Sequence, residues 1–226
     1  MTRAELDAII SDAVNDSELK SSEIPSIDLY VDQIINLVSE KQKEGSPRFL
    51  DKQLTKTMIN NYSKDGVITA VKGKKYTKEQ ILQILTVYSM KSTLSIGEIK
   101  RLLTGAYTIE GFDGKALNDL YDGYMRIKDE NRIYAKKVID GMIEGNSLNI
   151  EKEEDFLTAL EGIVSLSAYF KNIAQAMIDA KYPEPEEPDE DEDEKDDKEE
   201  KKKEKKEKKK KEKDQKSAEE RQEENA

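Results

Sequence analysis

The chain of 226 residues carries 38 Lys and Arg against 49 Asp and Glu, a formal net charge of −11, and contains no Cys, His or Trp. That excludes disulfides, thiolate or imidazole metal sites, and Cys-His or Ser-His-Asp nucleophiles. The charge is uneven: residues 45–103 hold eleven basic and four acidic side chains, +7, whereas 1–44, 104–182 and 183–226 stand at −6, −5 and −7, so only the second block suits an anionic partner.

In chain order, Leu6, Ile9, Ile10, Ala13 and Val14 recur at helical spacing and predict a short amphipathic helix within residues 1–23. Glu5 and Asp7 interrupt what would be the apolar stretch of a leader, and no run reaches the roughly 18 apolar residues of a membrane span, which points to a cytoplasmic protein. Beyond Pro25, Ile27, Val31, Ile34, Ile35 and Val38 predict a core-facing helix ending near Gly45-Ser46-Pro47. A further helix is expected from Leu54 to Lys64, stopped at Asp65-Gly66, where glycine takes the left-handed conformation that ends helices. Val67–Val71 and Lys72–Tyr76 read as two short β segments around a glycine turn, a basic hairpin. Thr77-Lys-Glu-Gln80 and Ser95-Ile-Gly-Glu98 are capping-box sequences that open helices from Lys78 to about Met90 and over Ile99–Leu103. Helix, tight turn, basic hairpin and helix together make a winged helix-turn-helix.

Downstream, Leu117, Leu120, Tyr124, Ile127, Asn131, Tyr134 and Val138 alternate three and four residues apart, the seam of a coiled coil or helical hairpin. A last helix is expected from about Asp155 to Tyr182 with a broad apolar face. The Gly145-Asn146-Ser147 turn predicts that these two helices fold back as an antiparallel hairpin, a surface for homodimerisation. From Pro183 the chain is almost entirely Pro, Glu, Asp, Lys and Gln and is expected to be disordered. Its acidic run, Glu184 to Glu200, is a candidate competitor with DNA for the basic block.

On the wheel of Leu54–Lys64, Leu54, Met58, Ile59 and Tyr62 share one side, while Lys56, Asn60, Ser63 and Lys64 gather opposite, with Thr57 at the margin. That small, polar, basic face suits a recognition helix, since Asn reads adenine bidentately and Lys reaches guanine or phosphate. A solvated helix face is the alternative. Lys72, Lys74 and Lys75 fall within four residues and suit phosphate neutralisation by counterion release. Tyr62 and Tyr76 either add phosphate hydrogen bonds or serve as part-buried core aromatics.

Thr57-Met-Ile-Asn-Asn-Tyr62 followed by Gly66-Val-Ile68, then Gly73-Lys-Lys-Tyr-Thr77 and Leu94-Ser-Ile-Gly-Glu-Ile-Lys100, resembles the mercury-resistance-regulator (MerR) type of DNA-binding domain in order and spacing. Asp28-Leu-Tyr30, Leu54 through Tyr62 and Lys74-Lys-Tyr76 are closer still to the bacterial domain-of-unknown-function 1836 family. The resemblance covers residues 24–105 and implies a mainly α protein with a small β wing. It further implies a sequence-specific transcriptional regulator of double-stranded DNA, with contacts carried by Lys56, Thr57, Asn60, Asn61, Tyr62, Lys64, Lys72, Lys74, Lys75 and Tyr76. Asn60 and Asn61 stand where such domains carry arginine and tyrosine, and Lys74 where the wing has arginine, so bidentate arginine contacts are missing. No cofactor, metal or enzymatic activity is expected, and residues 106–182 form the helical hairpin. The competing reading is an adaptor that uses this hairpin to bind protein, without DNA.

Overall fold

Helix starts follow local capping chemistry. In the computed structural model, which describes residues 1–184, the helices are α1 (Arg3–Ala13), α2 (Val31–Gln42), α3 (Lys56–Lys64), α4 (Lys78–Met90), α5 (Ile96–Tyr107), α6 (Gly114–Gly145) and α7 (Glu153–Lys181). Two strands, β1 (Leu29–Tyr30) and β2 (Lys75–Tyr76), and 3-10 turns at Ser21–Glu23 and Pro47–Lys52 complete the described elements. Thr77 and Gln80 exchange side-chain and backbone hydrogen bonds at the start of α4, as Ser95 and Glu98 do at α5 and Thr2 and Glu5 at α1. The Asp113 carboxylate accepts from the amides of Ala116 and Lys115 at 2.9 Å, opening α6, and those amides hold it below the usual carboxylate range. The tail, with its expected disorder and competition for DNA, lies outside the described residues from 185 onward.

α4 is the hub of the main core. Seven consecutive residues, Ile81 through Val87, are buried, so this helix is covered on every side. Ile34 of α2, Ile59 of α3, Ile99 of α5 and Leu117 of α6 pack into the same core, each fully buried. The core continues past residue 105: Leu117 and Tyr121 belong to it, and the Tyr121 hydroxyl donates to the Leu19 carbonyl at 2.8 Å. A second, smaller core joins Leu6 and Ile10 of α1 to Ile143 of α6, Ala159 of α7 and Ile150 in the turn between those two helices. Ion pairs run alongside it, with Arg3 and Lys136 clustered on Asp140 and Asp7, and Lys128 on Glu18 at 2.5 Å.

α7 touches two places. Near its start, Gly162 lies against Met142 of α6. At its end, Arg101 of α5 donates to Asp179 at 2.7 Å and to the Tyr182 carbonyl at 3.0 Å, Gln175 donates to Glu98 at 2.6 Å, and the Tyr182 ring sits on Gly105. No described helix is long and apolar enough to cross a membrane.

The expected 67–76 hairpin does not form. Lys75–Tyr76 pairs antiparallel with Leu29–Tyr30, far away in sequence, in register Leu29↔Tyr76 and Tyr30↔Lys75. Val67 and Ile68 are buried instead, and their amides bond to the Tyr62 carbonyl to cap α3 after Gly66, whose φ is +65°. With those donors consumed, no strand edge is left for a local partner. Ile27, placed on a helical face by spacing, is 70% exposed, because its neighbours Leu29–Tyr30 are drawn into the sheet and α2 begins only at Val31. α5 is longer than the expected Ile99–Leu103. The seam expected on α6 divides: Leu117 and Tyr124 pack on the main core, whereas Ile127, Asn131 and Tyr134 are exposed.

Candidate nucleic-acid interface

α3 sets the site. Thr55 caps it, its hydroxyl accepting from the Met58 amide at 3.3 Å, and Ile59 and Tyr62 turn inward, so the remaining face looks outward. Lys56, Asn60, Ser63 and Lys64 on that face line a groove of about 600 Å³ with Lys74 and Gly73 of the loop before β2, Tyr76 of β2, and Tyr30, Val31 and Asp32 from the β1–α2 junction. The β1–β2 ladder brings these distant segments to one wall. Among the lining residues Asp32 alone is acidic.

Lysines without ion pairs are grouped on this face, although Lys20, Lys100, Lys115, Lys137, Lys152, Lys171 and Lys181 elsewhere are also exposed and unpaired among the described residues. Lys41, Lys43, Lys128, Lys136, Arg3, Arg101 and Arg132 each form ion pairs. Among the described residues no ion pair engages Lys56, Lys64, Lys72, Lys74 or Lys75, and all five are exposed. Like charges grouped in this way raise the local positive potential. Gly73, at φ +89°, turns the chain so that Lys72 and Lys74 flank the bend.

The lysine loop is anchored from below by two buried glutamines of α4. Gln83 Oε1 accepts from the Thr69 amide at 2.8 Å and from its hydroxyl at 3.1 Å. Its Nε2 donates to the Tyr107 hydroxyl at 2.6 Å, which donates onward to Glu79 at 2.9 Å. Gln80 Nε2 donates to the carbonyls of Thr69 and Ala70 at 3.3 and 3.1 Å. Sequence reading placed Gln80 in the capping box but missed its hold on the loop, and it missed Gln83 altogether, because a glutamine in a helix reads as surface unless its buried partner is known.

Of the ten residues read as contacts, Lys56, Asn60, Lys64, Lys74 and Tyr76 come together in the groove. Thr57, Asn61, Lys72 and Lys75 are exposed nearby without lining it, and the Lys75 ammonium stands 5.0 Å over the Tyr30 ring. Tyr62 leaves the set. Its side chain is 3% exposed with the hydroxyl wholly buried, because the i, i+3 spacing with Ile59 turns it into the core. Burial pushes its phenol up to about 12. Tyr76 is also buried and forms the groove floor. Tyr30, at the groove's edge, had no signal in the local pattern, since only pairing with β2 puts it there.

The main core reaches from Leu19 through Tyr121, with Tyr124 packed against it. Those are almost the limits of a family match. Residues 19–124 match the family described as a domain of unknown function, DUF1836. The matched segment thus includes the first turns of α6, which close its core, and the whole groove. No curated protein and no solved structure matches the chain.

Proposed function

We propose that the protein is a sequence-specific DNA-binding transcriptional regulator whose segment matching DUF1836, a MerR-like helix-turn-helix in this reading with the β1–β2 ladder in place of a local hairpin wing, puts α3 in the major groove. The observation that carries this is the convergence of Lys56, Asn60 and Lys64 with Lys74 around one groove, in a patch of lysines without ion-pair partners. Asn60, in the middle of the outward face, is the base reader, since its amide matches the donor and acceptor pair of adenine. Lys72, Lys74 and Lys75 hold backbone phosphates and give affinity without sequence preference.

The test is retention of fragmented genomic DNA by the full chain at near-physiological salt, sequenced after washing. Recovery of a few fragments sharing a motif supports the reading; recovery no better than from a Lys72/Lys74/Lys75 triple-alanine variant removes it and leaves the protein-binding adaptor. On a recovered site, the triple variant should lower the slope of log affinity against log salt by roughly one for each lysine on a phosphate. Asn60→Ala should instead leave that slope unchanged and relax one base position, with a loss of about 1–3 kcal/mol. Equal losses on all sequences for Asn60→Ala would contradict its assignment as a reader.

A further inference from the structure

Leu6 and Ile10 of α1 pack on Ile143 and Ala159, yet the three helices they join do not close completely. Between them lies a crevice of about 360 Å³. Its inner end is set by the buried Leu6, Ile143, Ile150 and Ala159, while Ile9, Ala13 and Leu160, all exposed, stand at its rim. Every residue around it is Met, Leu, Ile, Val, Ala or Phe, and no polar atom reaches its surface. We infer that this crevice is a binding site for an uncharged, hydrocarbon-rich small molecule, held between α1 and the α6–α7 pair.

The lining selects that chemistry. A charged or strongly hydrogen-bonding group would lose its hydration there without gaining a partner. The ionic side chains that link α1 to α6 cancel: Arg3 and Lys136 are paired with Asp7 and Asp140, so no net charge draws an ionic ligand. Cavities walled by hydrocarbon stay dry and take up apolar molecules instead, and this volume lies toward the low end of small-molecule sites. With walls on three helices and the Ile150 turn, the space is a recess and not a face, which suits a compact molecule. The tail is no candidate occupant, since residues 185–226 contain no Leu, Ile, Val, Met, Phe or Tyr. Occupancy would be felt beyond the crevice. Arg132 of α6 donates to the Val14 carbonyl at 3.1 Å, Lys128 pairs with Glu18 at 2.5 Å, and Leu19 then enters the main core. A ligand that fixes α1 on α6 therefore stabilises the folded chain.

The test uses the full chain and N-phenyl-1-naphthylamine, an uncharged probe whose emission rises and shifts to the blue in apolar surroundings. Saturable binding with a Kd of roughly 1–50 µM is expected, together with a higher thermal midpoint. 1-Anilinonaphthalene-8-sulfonate, which adds a sulfonate to the same rings, should bind at least about tenfold more weakly. Ala13→Phe, which fills the rim, and Leu160→Asp, which puts a charge on the wall, should each weaken the uncharged probe by about tenfold with unchanged helical circular dichroism. Both positions are exposed, and the second variant guards against a folding defect in the first. Phe170→Ala, in the adjoining α6–α7 groove, should bind as wild type does. The inference is overturned by no saturable binding up to about 100 µM, by a sulfonate that binds as tightly, or by folded variants with wild-type affinity. A loss confined to Phe170→Ala would put the probe in the other groove, and a signal per mole that grows on dilution would mean that a second copy fills the crevice; either result also overturns it. No readout involves DNA, so the outcome is separable from that of the DNA-binding proposal.

Discussion

Two buried phenols of the main core make opposite predictions. The Tyr62 hydroxyl has no hydrogen-bond partner among the described residues, whereas that of Tyr121 donates to the Leu19 carbonyl at 2.8 Å. A buried polar atom without a partner costs free energy that its removal returns, while breaking a made bond leaves an acceptor stranded. Tyr62→Phe should therefore leave the urea midpoint unchanged or raise stability by up to about 1 kcal/mol, and Tyr121→Phe should lower it by about 1–2 kcal/mol. Equal losses in both would show that Tyr62 has a partner in solution. Periodicity places both rings inward but says nothing of where a hydroxyl points, which is why Tyr62 read as a DNA contact.

Elements were legible in the sequence where their cause is local. The capping pairs Thr77–Gln80 and Ser95–Glu98 lie three residues apart and form as expected. The β1–β2 ladder joins residues about forty-five apart, and no window short enough to read contains both strands. For the same reason the groove was only half visible: the α3 face followed from its wheel, while Tyr30 and Asp32 arrive through the ladder. The loop between α3 and β2 depends on α4, so Gln83→Leu should cost about 2–3 kcal/mol by stranding the Thr69 amide. On the proposed function it should also weaken DNA binding while Lys74 remains in place. If unfolding experiments put the variant within about 0.5 kcal/mol of wild type, the glutamine is not the anchor described here. α1 poses the complementary question of what fastens a short helix. Leu6→Ala should destabilise by about 2–4 kcal/mol, since Leu6 is a buried member of the small core. Lys136→Ala should leave the unfolding midpoint close to that of wild type despite its pairs with Asp7 and Asp140, because water screens them.

At the scale of the whole molecule, the tyrosines set an alkaline limit. Burial pushes Tyr62 and Tyr107 up to about 12 and raises Tyr121 and Tyr124 as well, with the Glu18 carboxylate adding to both of the latter. In the unfolded chain these phenols ionise near 10, so above that pH the unfolded state binds fewer protons and stability falls. The contribution is intact below pH 10 and declines between 10 and 12, by at most about 1.4 kcal/mol per pH unit for each tyrosine held neutral. Denaturant midpoints between pH 9 and about 11.5 would test the sign, and a flat profile would contradict the burial of these hydroxyls. Another consequence lies in the two-residue ladder between Tyr30 and Lys75. A strip this short is the cheapest part of the fold to open, so its amide hydrogens should exchange with solvent through a local fluctuation while those of α4 wait for global unfolding. Because it builds one wall of the lysine groove, any polyanion lying along that wall would hold its two strands together, and slowed deuterium uptake at residues 29–30 and 75–76 would report occupancy before an affinity could be measured.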